Sequence, residues 1–142
     1  MRVPDTNLLL YAEIASFAQH KKARAWWVAA LEGTDEIGLP APVVFGFVRL
    51  ATNPRVFAPP LPVADALARV EDWLSRAHVR LLVPGPRHVE IAFSLLRATG
   101  AAANLTTDAQ IAALAMENGA ELCSNDTDFG RFGGLRCKNP LV

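Results

Sequence analysis

The sequence lacks an excess of charge of either sign. Its 142 residues include 14 Lys and Arg against 14 Asp and Glu, so the formal net charge is zero. A strongly basic domain surrounds itself with a positive field that attracts nucleic acid, and this chain has no such overall field. Any contact with RNA or DNA must therefore be local or assisted by a metal ion.

Cysteines and long apolar runs are also scarce. The spacing of the two cysteines, Cys123 and Cys137, fits neither a zinc knuckle nor a CxxC redox pair, so we expect two reduced thiols buried in or near strands. The longest apolar runs, at 8–12 and 111–116, are far shorter than the roughly 18 to 20 residues that cross a bilayer. The N-terminus has no apolar signal-peptide core, so we expect a cytoplasmic protein with no membrane partner.

Length and composition favour one folded domain that spans residues 1–142. Hydrophobic residues make up 51% of the chain, and a chain of this size can bury a substantial core without disulfides. The proline-rich segment 58–62 reads as a stiff loop that joins elements of the same domain.

Hydrophobic periodicity predicts helices that alternate with short strands. A helix at 108–118 is apolar on all sides and should be central, with Thr106 or Thr107 capping its start and Gly119 closing it. Alternation of this kind is typical of an α/β domain with a mostly parallel sheet. The other predicted helices are 20–31, 43–51, 66–74 and 89–96, and the predicted strands are 2–4, 36–39, 79–83, 121–124 and 135–137.

Four aspartates fall where parallel strands end. Asp5 follows the first predicted strand, Asp126 and Asp128 follow the strand 121–124, and Asp108 begins the central helix. Ligands of open α/β sheets bind beyond the carboxyl ends of the strands, so these side chains should meet if the two strands are neighbours. Each aspartate alone is also explained by a turn, a helix cap or a favourable helix dipole.

Gathered carboxylates repel one another unless a cation compensates them. Oxygen ligands without nearby Cys or His favour Mg²⁺ or Mn²⁺ over Zn²⁺, so we assign His20, His78 and His88 no metal role. A divalent ion in such a site suits phosphodiester hydrolysis, since it activates water and neutralises charge on the phosphate oxygens.

Four ordered blocks of sequence then indicate a family. They are VPDTNLLLYA from residue 3, FVRLATNP from residue 47, TDAQIAALA from residue 107 and LCSNDTDF from residue 122. Together they resemble the PIN-domain ribonucleases, and within them the VapC toxins of bacterial toxin–antitoxin pairs. The resemblance implies a three-layer α/β/α sandwich, endonucleolytic RNA cleavage dependent on Mg²⁺ or Mn²⁺, and inhibition by a cognate VapB antitoxin.

The resemblance also implies roles for individual residues. The aspartates that match Asp5, Asp108 and Asp126 bind the metal directly or through water, and the acid that matches Asp128 lies close by. Asn7 and Ser124 match residues that line the pocket, although turn or strand-end hydrogen bonds explain them equally. Two arginines are candidates for phosphate contacts, with ordinary ion pairs as the alternative. These arginines are Arg49 and Arg131.

Partner surfaces are suggested by the helices at 20–31 and 43–51. Both are rich in aromatic and aliphatic residues, Phe45 and Phe47 among them. Such a surface could accept an antitoxin helix or a second toxin subunit, which predicts a homodimer or a toxin–antitoxin hetero-oligomer. Core packing explains the same residues.

One departure from the family pattern concerns a glutamate. Many PIN domains carry it on the helix corresponding to 43–51, but this chain has no acidic residue between Glu36 and Asp65. Pro42 or Gly46 stands at the expected place. Either Glu13 or Glu36 replaces the missing acid, or one metal ion is held by fewer protein ligands. The alternative is a catalytically weakened PIN-like module that only binds partners.

Overall fold

The computed structural model describes residues 1–142 and contains five strands, six α-helices and a 3-10 helix at Thr127–Arg131. The strands are β1 Arg2–Pro4, β2 Ile37–Pro40, β3 Val79–Leu82, β4 Glu121–Cys123 and β5 Cys137–Lys138. The helices are α1 Thr6–Glu13, α2 His20–Glu32, α3 Ala41–Ala51, α4 Val63–Leu74, α5 His88–Thr99 and α6 Leu105–Glu117.

The five strands form one sheet in the order β3-β2-β1-β4-β5, and every neighbouring pair is parallel. The chain moves in one direction along the sheet from β1 to β3 and then returns to β4 on the far side of β1. Because parallel crossovers are right-handed, this reversal places α1 to α4 and α5 to α6 on opposite faces. The predicted α/β/α sandwich is confirmed, with a sheet that is wholly parallel.

Aromatic side chains from three helices meet in the core. Trp73 of α4 lies edge-on to Trp27 of α2, with ring centroids 5.5 Å apart, and contacts Phe47 of α3 at 4.9 Å. All three are almost wholly buried, whereas Trp26 is only partly covered. Trp27 therefore packs inside the core, and Trp26 packs at its edge.

Helix α6 is buried on all sides from Ile111 to Ala115, as its composition predicts, but it begins earlier than expected. Asn104 is the N-cap residue and makes no side-chain capping bond, so the prediction that Thr106 or Thr107 caps the helix is wrong. Both threonines lie inside the first turn, because Leu105 is apolar and extends the buried face by one turn. At the other end Gly119 adopts a φ of 60°, which closes the helix as predicted.

Helix α1 and strand β5 also differ from the sequence-based expectation. Helix α1 was not among the predicted helices, since its run of leucines shows no helical period. Strand β5 lies at Cys137–Lys138 rather than at 135–137, and Cys137 is exposed there while Cys123 is buried in β4. No helix combines the length and apolar composition needed to cross a membrane.

Candidate active site

The carboxyl ends of β1 and β4 bring the predicted aspartates together. Pro4 pairs with Cys123 in the parallel ladder, and the Asp5 amide extends that ladder by donating to the Cys123 carbonyl oxygen at 2.9 Å. Asp126 and Asp128 follow β4 directly, at the same edge of the sheet. The position of the site therefore follows from the strand order.

Asp108 in the first turn of α6 joins Asp126 and Asp128 in a tight group. One carboxylate oxygen from each of the three lies within 4.8 Å of the others. No Lys, Arg or His forms an ion pair with these residues or with Asp5. The group combines Asp128, rather than Asp5, with the two other predicted ligands.

Asp5 lies behind this group and is only 6% exposed. One carboxylate oxygen accepts from the Thr6 amide at 2.7 Å, which caps α1, and the other accepts from the Ser124 hydroxyl at 2.9 Å. The same hydroxyl oxygen accepts from the Asp126 amide at 2.9 Å. Ser124 therefore links the ends of β1 and β4.

Asp126 also has a local structural role. Its carboxylate accepts from the Asp128 amide at 2.9 Å and caps the 3-10 helix. The capping interpretation is thus correct for Asp5 and Asp126, and it is compatible with their place in the acidic site. A capping carboxylate keeps lone pairs that can bind a cation.

Burial and mutual repulsion disfavour the ionised forms of two of these acids. The pKa of Asp108 rises from an ordinary 3.8 to about 6, chiefly because burial desolvates it and then because Asp5, Asp126 and Asp128 repel its charge. Burial also raises the pKa of Asp5, while hydrogen bonds from Ser124 and Thr6 oppose the change. A bound cation would relieve this electrostatic cost.

We expect Asp108→Asn to stabilise the metal-free protein in a pH-dependent way. A raised folded-state pKa stabilises the wild type below pH 4, and that contribution is lost as the pH rises through about 6. The melting temperature of the variant, measured in EDTA, should therefore rise relative to that of the wild type as the pH increases from 4 to 7. Since solvent screens the half-exposed Asp108, the corresponding gain in the free energy of unfolding is on the order of 1 kcal/mol. A difference that does not change with pH would contradict this electrostatic interpretation.

The missing glutamate is not replaced by either candidate. Glu13 lies at the far end of α1 from Asp5, where it pairs with Arg24 at 3.0 Å and Arg69 at 2.5 Å. Glu36 is exposed and precedes β2, at the amino ends of the parallel strands, and so lies at the opposite edge of the sheet.

Gly46 is the α3 residue next to the start of α1. A methyl carbon added at Gly46 would lie 3.2 Å from the Thr6 hydroxyl oxygen. That close approach leaves little room for a longer side chain at this position unless Thr6 moves. The space beside Asp5 is therefore occupied by packing between α1 and α3.

The other predicted pocket residues form no hydrogen bond or ion pair with the acidic group. Asn7 is the second residue of α1 and is half-buried, whereas Arg49 and Arg131 are exposed in the last turns of α3 and the 3-10 helix. None of these three side chains forms an ion pair or hydrogen bond within the protein. Their roles at the pocket stay predictions.

Sequence reasoning missed the residues that β5 adds to this edge. Asn139 follows β5, which lies beside β4, so it reaches the same end of the sheet as Asp126. The available signal was an asparagine placed directly after the last strand. The one- to two-residue error in locating β5 concealed it.

Comparison with known proteins agrees with this fold. The PIN domain family model matches residues 2–135. Ribonuclease VapC33 of Mycobacterium tuberculosis is 53% identical over 141 residues, which cover 99% of each chain.

Solved structures show the same fold at low sequence identity. VapC20 of M. tuberculosis, described as a sarcin–ricin loop cleaving toxin, superposes with a TM-score of 0.69 at 21% identity and covers 96% of this chain and 99% of its own. VapBC-1 of nontypeable Haemophilus influenzae gives a TM-score of 0.70 at 17% identity, covering 99% and 98%.

Proposed function

This chain belongs to the PIN-domain family, and from that membership we propose that it is a metal-dependent endoribonuclease that acts as the toxin of a type II toxin–antitoxin system. The observation that carries the proposal is the group of Asp108, Asp126 and Asp128 at the carboxyl edge of the sheet, with Asp5 behind it and no cationic side chain to balance it. Cationic side chains of the protein normally neutralise a structural cluster of acids. A catalytic cluster is instead neutralised by a bound metal ion, which then acts on a phosphate.

The donor set fits Mg²⁺ or Mn²⁺. It consists of carboxylate oxygens alone, which these hard ions prefer, and it lacks the thiolate and imidazole ligands typical of zinc. Asp108, Asp126 and Asp128 would hold the ion, with Asp5 adjacent. When bound, such an ion supplies an activated water and neutralises charge that develops on the phosphodiester.

The protein's own contribution is to hold these carboxylates in fixed positions. Ser124 donates to Asp5 and accepts from the Asp126 amide, so a single hydroxyl sets the spacing between the β1 and β4 ends. Asp108 is held by a helix that is anchored in the core through Leu105, Ala109 and residues 111–115. Ligands fixed in this way lose little conformational entropy when the ion and substrate arrive.

We propose one ion per chain rather than two. A second ion would need further carboxylates, and the position near Gly46 supplies none while Glu13 is paired with arginines. Titration of the protein with Mn²⁺, followed by the electron paramagnetic resonance signal of the free ion, should count one site.

A VapB-type antitoxin is the proposed partner, since VapBC-1 is a toxin–antitoxin pair with the same toxin fold. The proposed location is the cytoplasm. Phe47 is fully buried, so core packing explains it, but Phe45 on α3 is 70% exposed and remains available to an antitoxin or a second subunit. A homodimer or a toxin–antitoxin hetero-oligomer is the proposed assembly.

The test is cleavage of total cellular RNA by the purified chain. We expect discrete cuts in Mg²⁺ or Mn²⁺, none in EDTA, and recovery when the metal is restored. The absence of the α3 glutamate favours a second candidate, a PIN-like module that binds an antitoxin without cutting RNA. Tight antitoxin binding with no cleavage in either metal would select that candidate and overturn the nuclease.

A further inference from the structure

A second concavity adjoins the acidic group and shares Asp126 with it. Its volume is about 280 Å³, comparable to one nucleobase with part of its sugar. The walls are the segment after β4, the 3-10 helix and the end of β5. We call it the side pocket, defined by Asn125, Asp126, Thr127, Gly130 and Asn139 together with Ser124 and Cys137.

Some hydrogen-bonding groups of the side pocket are already bonded within the protein, and others are free. Both functions of the Ser124 hydroxyl are used within the protein. Asn139 accepts from the Leu141 amide through its side-chain oxygen at 2.9 Å. A backbone N–H can only donate, so this bond fixes the orientation of the Asn139 amide and leaves its NH₂ group free to donate.

Two further side chains in the side pocket make no hydrogen bond within the protein, those of Asn125 and Thr127. Gly130 forms a wall without a side chain, and a methyl carbon added there would meet no atom within 4 Å. The side pocket thus offers space and unused polar groups, and it contains no aromatic ring on which a base could stack.

We propose that the side pocket holds a nucleobase beside the scissile phosphate and selects guanine or uracil, which carry a carbonyl oxygen where adenine and cytosine carry an amino group. This inference rests on the proposed function, since Asp126 is shared by the two sites. Single-stranded RNA is read mainly by stacking and by hydrogen bonds to base edges, and only hydrogen bonds are available here. The Asn139 NH₂ group can donate to that carbonyl oxygen. The adenine amino group instead needs an acceptor, and the Asn139 side-chain oxygen that would accept from it already accepts from the Leu141 amide.

The first experiment maps the cuts that the wild type makes in a randomised RNA pool in Mg²⁺. Guanine or uracil should exceed adenine by about tenfold at one fixed position next to the cut. Asn139→Asp keeps the oxygen that accepts from Leu141 but replaces the NH₂ donor with an acceptor, so the preference should disappear or shift to bases with an amino group. Gly130→Leu should fill the side pocket and remove the preference as well.

Asn53→Asp is the matched control for Asn139→Asp. The Asn53 side-chain oxygen accepts from the Arg55 amide at 2.9 Å, the same turn geometry at an exposed place outside the side pocket. The control should cut with the wild-type preference. The added charge of Asn139→Asp could slow all cuts equally, but such a uniform loss would not change the base preference at one position.

The second experiment needs no cleavage. GMP, UMP and AMP are titrated in Mg²⁺ while the side-chain amide resonance of Asn139 is followed by NMR, and GMP or UMP should shift it more than AMP. Cleavage with no base preference, or a preference that Asn139→Asp retains, contradicts base selection by the side pocket but does not contradict the proposed nuclease activity. If the wild type cuts no RNA, the proposed function fails, and the titration alone decides whether the side pocket binds a base.

Discussion

Replacing Asp108 with asparagine is expected to slow RNA cleavage at least about 100-fold and to weaken Mn²⁺ binding, with the fold intact. The amide has nearly the same shape as the carboxyl group but lacks the charge that a cation requires. Asp108 reaches the group from α6, whereas Asp126 and Asp128 come from one loop, so its loss leaves ligands on one side only. Single-turnover cleavage and Mn²⁺ titration measure the two effects.

Asp65→Asn is the matched control for this change. Asp65 occupies the first turn of α4 as Asp108 occupies that of α6, so both substitutions remove a charge that favours a helix N-terminus. Asp65 lies outside the acidic group, and its variant should cut RNA at the wild-type rate. Normal cleavage by Asp108→Asn, or equal loss in both variants, would contradict the proposed site.

Replacing Trp73 with alanine is expected to lower the free energy of unfolding by about 3 to 5 kcal/mol. The side chain is 1% exposed and lies between Trp27 and Phe47, so its removal opens a cavity where α2, α3 and α4 meet. Edge-to-face contact between the rings adds to the loss. Urea unfolding followed by circular dichroism measures the change.

Trp26→Ala provides the comparison for the loss of Trp73. Trp26 is the same residue type but is only partly buried beside Trp27, so less apolar surface is uncovered. Its variant should lose clearly less stability. Equal losses of stability in the two variants would mean that the aromatic contact among α2, α3 and α4 does not stabilise the fold in the way proposed.

Much of the fold could be predicted because the sequence patterns and the tertiary structure agree. Helix α2 and strand β1 lie where periodicity and length place them. Helix α1 could not be recognised, since its three consecutive leucines are all buried and therefore show no helical alternation of apolar and polar positions. Strand β5 has two residues, too few to display alternation.

The site was predictable at the level of its backbone positions and not at the level of its contacts. Strand order alone brings Asp5 and Asp126 to one edge. The sequence does not reveal that Ser124 would engage Asp5 and leave Asp128 in the tighter group, because this depends on side-chain rotamers. The closeness of Gly46 to Thr6 likewise depends on how α3 packs against α1.

The burial of α6 on every side has a consequence for how the protein can diverge. Substitutions at its buried positions, from Ala109 to Ala115, meet the sheet or another helix, so few of them will be tolerated, and Asp108 is confined to its present location. Apart from Asp126 and Asp128, which would hold the ion, the loops after β4 and β5 carry partly exposed side chains that can be replaced at little cost in stability. Descendants of this protein should therefore change which RNA they recognise through those loops, while the chemistry stays the same.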